Sequence, residues 1–320
     1  MSDLPAWTRR LGPRQLQTLV TIAHTGSLSR AATLMATTQP GLSKWLRDLE
    51  DAMGVVLFER TTRRLAPTEY GHIVLRLAAQ ILGDTMRMAD ELQARQAGRL
   101  GRLNLGVLPG LAPVLLPDAI HWLQERGLEI EVVLRESTFD MLLPQLRQHQ
   151  LDLLVARFDR EALNAGGQRR ALFQETACIM ASVDHPLQRR PAVDWTDLAD
   201  QPWILPVPDS PMRRTVERAF ERSGMPVPRS LLESASALTN RAMARKMGAL
   251  FITSRLSASE LERDGTVRRL PLTASQPSAV GVLWMVDDLA PQQQYMLEAL
   301  EAAARLHAEA AVGVVAETAR

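Results

Sequence analysis

Cysteine is almost missing. Cys178 stands alone among 320 residues, so no internal disulfide can staple the chain and the fold has to rest on apolar burial. It lies in "ETACIMAS", which reads as a buried strand and makes it a packing residue. No apolar run approaches the length that crosses a bilayer. The start, "MSDLPAWTRRLGPRQ", has arginines where a secretory signal needs an apolar core. These absences lead us to expect a cytoplasmic protein with no membrane partner. The six histidines, His24, His72, His121, His149, His185 and His307, stand singly without the spacing of a metal site. A G-x-G-x-x-G turn, a Walker loop and a G-x-S-x-G elbow are all missing, which leaves an enzyme with thin support and no cofactor expected. Internal repeats and low-complexity tracts are absent too.

What is present is the balance of an ordinary globular protein, 46% apolar and 23% charged. The length suffices for roughly two or three cores, hence several domains. The net charge is only +1, yet the segment through Tyr70 carries nine basic residues against six acidic. That excess is where an anionic polymer could dock, although simple surface solubility explains so small a bias equally well.

Arg14 to His24 has apolar residues at Leu16, Leu19, Val20 and Ala23, a helical spacing closed by the glycine of "HTGS". Ser27 can cap a second helix whose Leu28, Ala31, Ala32 and Met35 share a face. Thr38 can cap a third, with Leu42, Leu46, Leu49 and Met53 turned inward. Pro40 in its first turn forfeits no hydrogen bond, and Gly41 lets that end approach another surface closely. Pro40, Ser43, Lys44 and Arg47 point away from the leucines. A helix-turn-helix inserts this part of its second helix into the major groove of DNA, with the preceding helix across the backbone. Trp45 is expected at the core edge rather than on a base. Val56 to Phe58 and Arg64 to Ala66, with Arg60, Arg63 and Arg64 around them, read as a wing hairpin or as an ordinary solvated turn.

From Thr68 a long helix is expected to about Gln96, with one apolar row of Val74, Ala78, Ile81, Thr85, Met88 and Leu92 and another of Leu75, Ala79, Leu82, Met86 and Ala89. Two rows are too many for an isolated linker, so the helix should pair with its copy in a second subunit. After the candidate hinge "AGRLGR", strand and helix alternate: Leu103 to Val107, Ala112 to Arg126, Glu129 to Arg135, Phe139 to His149, Leu151 to Ala156. This is α/β with a parallel sheet. A second set starts near Ala171, with Cys178 to Ser182, "WILPV", a helix from Met212 to Ser223 and "GALFITS". The strand "AVGVLWMVDD" and a helix from Pro291 to His307 return to the first set. The remainder is weakly patterned and expected to be disordered.

The stretch "SLSRAATLMATTQPGLSKWLRDLEDAMGVVLFERTTRRLAPTEYG" closely resembles the amino-terminal region of LysR-type transcriptional regulators. Gln39, Pro40, Leu42, Ser43, Leu49, Glu50, Gly54, Leu57, Phe58, Arg60 and Gly71 match that family's Q-P-x-L-S, L-E-x-x-x-G, L-F-x-R and L-T-x-x-G in order and spacing. Gly41 replaces the commoner alanine, Pro67 the commoner leucine, and Lys44 the usual arginine, which keeps the charge without the bidentate fork. The resemblance implies an α/β multidomain chain: a winged helix-turn-helix at 1–67, a linker and dimerisation helix at 68–97, and a periplasmic-binding-protein-like effector domain. The two effector subdomains would be 98–160 with 274–307, and 161–273, leaving 308–320 as a tail. The expected partners are double-stranded operator DNA, a small effector, a second copy through the linker helix, and four copies in the assembly as the family often forms. Phosphate contacts would come from Arg30, Arg60, Arg63 and Arg64, with Gln39, Pro40, Ser43, Lys44 and Arg47 near base edges and Ser27, Thr38 and Gly41 at the helix ends.

By position, Gly110, Thr138 and Arg157 on one lobe, and Ser210, Met212, Arg213 and Gly248 on the other, correspond to the family's effector cleft. Ser137 and Thr138 can cap the following helix, and a helix start with a hydroxyl and a guanidinium suits a carboxylate or other small anion. Gly110 replaces the hydroxyl common among relatives, and "RKMGALFIT" lacks the first glycine and closing proline of the family's G-x-G-x-x-x-x-P. Thr138 as a simple cap and Arg157 as a surface ion pair remain the alternative. So does an architectural DNA binder whose second half only oligomerises.

Overall fold

A computed structural model describes residues 5–60, 64–208 and 210–317. The chain forms two compact units, Met1–Ala97 with Arg147–Gln150, and Gly98–Leu146 with Leu151–Arg320. No helix among the described residues is long and apolar enough to cross a membrane.

In the first unit a short 3-10 turn precedes α1 (Pro13–Thr25), α2 (Leu28–Leu34), α3 (Gln39–Met53), the strands β1 (Phe58–Arg60) and β2 (Leu65–Pro67), and α4 (Glu69–Gln96). Each later helix starts on a hydroxyl cap: Ser27 accepts from the Arg30 amide, Thr38 from Gly41 and Thr68 from Gly71. Gly26 and Gly54 close α1 and α3 in the left-handed region, at φ 59° and 71°. Leu19, Ile22, Ala31, Ala32, Leu42, Leu46, Leu49, Leu57 and Phe58 form the core.

The strands begin later than the apolar pattern suggests. Both Leu57 and Phe58 donate their amides to Glu50 Oε1, at 2.7 and 3.1 Å, so the ladder starts at the pair Phe58 and Pro67. The two rows expected on α4 are also divided differently. Val74 and Leu75 pack on the helix-turn-helix core, and Ala78 and Ala79 are buried. The exposed stripe that remains is Tyr70, Ile73, Leu77, Ile81, Met88 and Leu92, at helical spacing, while Met86 is exposed on another side.

The second unit opens with β3 (Gly101–Val107), α5 (Ala112–Glu125), β4 (Ile130–Glu136), α6 (Phe139–Arg147), β5 (Leu153–Arg157), α7 (Arg160–Leu163) and β6 (Gln168–Glu175). There follow β7 (Ala177–Ser182), β8 (Trp203–Leu205), α8 (Pro211–Arg222), β9 (Ser230–Glu233), α9 (Ala237–Met247), β10 (Leu250–Ser254), α10 (Arg255–Glu262) and β11 (Val267–Thr273). The last elements are β12 (Ser278–Trp284) and α11 (Pro291–Glu317). Two five-stranded sheets result, ordered β4-β3-β5-β12-β6 and β11-β7-β10-β8-β9. Separate apolar clusters cover both faces of each sheet, which is why strands such as "LLVA" in β5 are buried throughout. Cys178 lies buried in β7, in the packing role its neighbours suggest.

Both sheets are mixed rather than purely parallel, since β12 runs antiparallel to β5 and β6, and β10 antiparallel to β7. β12 completes the first sheet, and α11 packs against the same face as α5. β6 is an edge strand of that sheet, so the passage between subdomains falls at Thr176 instead of 161. Its "QRRALFQE" is mostly exposed and has no apolar run to betray a strand; pairing with β12 creates it. α6 ends at Arg147, before His149, which takes φ 57°. The backbone of α11 continues to Glu317, through the alanine-rich stretch expected to be a disordered tail. The two passages are tied to each other: Ala177 donates to Ser275 Oγ at 2.8 Å and accepts from the Ala274 amide at 3.3 Å.

Candidate nucleic-acid interface and effector site

The start of α3 presents Thr38, Gln39, Pro40, Gly41, Lys44 and Arg47 to solvent, with Ser43 half-buried, while Leu42, Leu46 and Leu49 face inward. Trp45 packs at the edge of the core, as its angle on the helix suggests. Ser27 and Thr38 spend an acceptor on each cap, which leaves their hydroxyl hydrogens available. Gly41 has a local reason as well: a β-carbon there would lie 3.0 Å from Thr38 Oγ1 and press on the cap. The Arg30 guanidinium turns back onto the Thr25 carbonyl, and Arg47 Nε donates to the Ser43 carbonyl at 3.3 Å. Among the described residues nothing holds the Lys44 ammonium, which is exposed on the same face. Arg60 ends β1, and Arg64 stands exposed just before β2. Arg63 lies outside the described residues.

A bracket behind this face went unread in the sequence. Besides the Glu50 carboxylate on the Leu57 and Phe58 amides, Thr68 Oγ1 donates to the Val56 carbonyl at 2.6 Å. Gly71 lets α4 close on β1, since a β-carbon would sit 2.1 Å from the Leu57 carbonyl oxygen. These bonds fix the hairpin to α3 and α4. The only signal was the motif spacing that contains Glu50, Leu57, Thr68 and Gly71, and spacing does not reveal a carboxylate's partner.

The expected effector residues lie on several elements of both subdomains. Gly110, between β3 and α5, holds φ +88°, and its carbonyl accepts from Ser257 Oγ at 2.7 Å. Arg157, at the end of β5, donates to Ser278 Oγ at 3.0 Å and to Glu175 Oε2 at 2.8 Å. The other Glu175 oxygen accepts the Leu256 amide of α10 at 3.0 Å, and Ser254 caps that helix. Arg157 is therefore one end of a buried bridge between the subdomains, with side chains 15% and 2% exposed, and not a surface ion pair. Sequence reasoning missed Glu175, Ser254, Ser257 and Ser278, because each comes from a different element.

On α8, Ser210 accepts from the Arg213 amide at 3.2 Å and donates to the Val207 carbonyl at 2.8 Å. Arg213 reaches Glu217 at 2.8 Å, Glu233 at 2.9 Å and the Pro206 carbonyl at 3.2 Å. The Glu233 hydrogen bond, more than that of Glu217, pushes its pKa further up against the effect of burial. Arg214 faces Asp159 at 3.9 Å, which joins α8 to the segment after β5. Thr138 stands half-buried before α6, where its carbonyl accepts the Met141 and Leu142 amides. The remaining pair have structural places: Met212 packs on the second subdomain's core, and Gly248 closes α9 at φ 64°.

Residues 13–72 match the model of the bacterial regulatory helix-turn-helix protein, lysR family, and residues 96–305 that of the LysR substrate binding domain. The chain is 31% identical over 298 residues to the HTH-type transcriptional regulator GbpR of Azospirillum brasilense, covering 92% of this chain and 87% of that one. It is 30% identical over 273 residues to the HTH-type transcriptional regulator PcaQ of Agrobacterium fabrum, covering 84% and 87%. A full-length OxyR variant from Pseudomonas aeruginosa shares its fold with a TM-score of 0.60 at 23% identity, covering 92% and 95%. Full-length CbnR complexed with its target DNA does so with 0.62 at 20%, covering 92% and 100%.

Proposed function

The chain belongs to the LysR family of DNA-binding transcriptional regulators with an effector-binding domain, and on that premise we propose how it works. The start of α3 reads an operator in the major groove, Arg30, Arg60, Arg63 and Arg64 grip phosphates beside it, and a small effector bound between the two sheets switches the protein. Residues 68–97 pair two copies, and four copies complete the assembly. In this reading the work is regulatory rather than enzymatic and is done on operator DNA in the cytoplasm.

One observation carries this reading: α3 combines a buried leucine face with an exposed Gln39, Pro40 and Lys44 tip that a hydroxyl cap and a hairpin bracket hold in place. Major-groove readers present a helix start in this way. Within the same reading, the sequence favoured an anionic effector because Ser137 and Thr138 can cap the start of α6 with a guanidinium nearby, and Arg157 and Arg213 are the guanidiniums among the candidate residues. Both guanidiniums are held by carboxylates, which opposes that choice.

The test is a pair of substitutions measured by gel shift. Lys44→Ala should narrow the gap between operator and random duplex while the dimer stays intact in sedimentation. Arg64→Ala should weaken both duplexes alike and reduce the salt slope by about one. Discrimination left unchanged by Lys44→Ala would remove α3 as the reader.

A further inference from the structure

Resting on the effector reading above for its location, we infer that the effector of this chain carries no net negative charge. Glu175, Glu217 and Glu233 are the specificity determinants that set this by holding Arg157 and Arg213. A neutral ligand bearing hydroxyl or amide groups fits the same surroundings.

Arg157 and Glu175 are nearly closed to solvent, and each has a second partner, Ser278 Oγ for the guanidinium and the Leu256 amide for the carboxylate. An anion at Arg157 would meet a guanidinium whose charge Glu175 already offsets, and would bring a second negative charge beside that carboxylate in a place with little water to screen it. Arg213 is clamped by Glu217 on one side and by Glu233 and the Pro206 carbonyl on the other. Arg214 faces Asp159. Among the described residues, Arg157, Arg213 and Arg214 each face at least one carboxylate, so none of these guanidiniums offers an anion an uncompensated charge. A neutral ligand needs none of them vacated. It can donate to Glu217 or Glu233 and accept from Arg157 or Arg213 beside the bonds already made, since a carboxylate has about four acceptor sites and a guanidinium five donors.

The experiment melts the full chain in sodium sulfate or sodium acetate against sodium chloride at matched ionic strength. The wild type should show no saturable rise in Tm beyond that of Arg213→Gln. Glu217→Gln with Glu233→Gln keeps hydrogen bonding but releases the Arg213 charge. Both glutamates are substantially exposed, 38% and 42%, so this variant should fold. It should gain a saturable rise, with apparent anion affinity up by about tenfold or more, and adding Arg213→Gln should remove it. Binding of anions elsewhere, as at the DNA-reading face, is common to all variants and cancels. A saturable rise in the wild type that Arg157→Gln or Arg213→Gln abolishes would overturn the neutral effector and leave its location standing. No gain in the double variant would overturn both, because Arg213 would then face no ligand space.

Discussion

At Gly71 a β-carbon would meet the Leu57 carbonyl oxygen at 2.1 Å, and a backbone atom cannot swing aside as a side chain can. Gly71→Ala should therefore cost the DNA-reading unit about 1–3 kcal/mol, the usual penalty of overpacking. We expect an earlier melting transition and weakened binding to every duplex, in contrast to the selective loss at Lys44. An unchanged melt would mean that α4 can step back from β1. Gly71 was visible in the sequence as a motif position, but the reason for it was not, because Leu57 is brought against it only by the fold. Glu50 teaches the same lesson: the sequence places it on α3, and only the hairpin's return supplies the two amides it accepts.

Among the elements, α4 was the most legible and the least correctly apportioned. Its start follows from the Thr68 cap and its length from unbroken helical spacing. Which apolar residues await a partner depends on what the rest of the unit covers, and Val74, Leu75, Ala78 and Ala79 are already used. That leaves Tyr70, Ile73, Leu77, Ile81, Met88 and Leu92 exposed, and the pairing proposed for this helix would use that stripe. Ile81→Glu changes a side chain that is exposed in the single chain, so its helical circular dichroism should persist. In sedimentation velocity at micromolar concentration the variant should shift toward monomer, and operator binding should weaken with it. A variant that stays dimeric would move the interface off this stripe. β6 fails in the opposite way: an exposed, polar edge strand has no periodicity of its own to read.

At the scale of the whole chain, the Arg157 and Glu175 bridge joins the first sheet to α10 of the second subdomain. Arg157→Gln strands a carboxylate that is 2% exposed, and about 3–5 kcal/mol of stability should go with it in a denaturant titration. Pairing that change with Glu175→Gln removes the buried charge and should recover much of the loss. Equal losses in the single and double variants would show that the two residues do not act together.

Caps, prolines and helical periodicity act within a few residues of one another, so the sequence by itself determined the three helices, the linker helix, the alternating α/β order and the exposed Gln39, Pro40 and Lys44 tip. The tertiary structure alone decided where β6 pairs, which face of α4 is left uncovered, and that Arg157 and Arg213 are already neutralised. Each of those outcomes depends on groups far apart in the chain, such as Arg157, Glu175 and Leu256, whose meeting is an outcome of folding and leaves no local pattern to read.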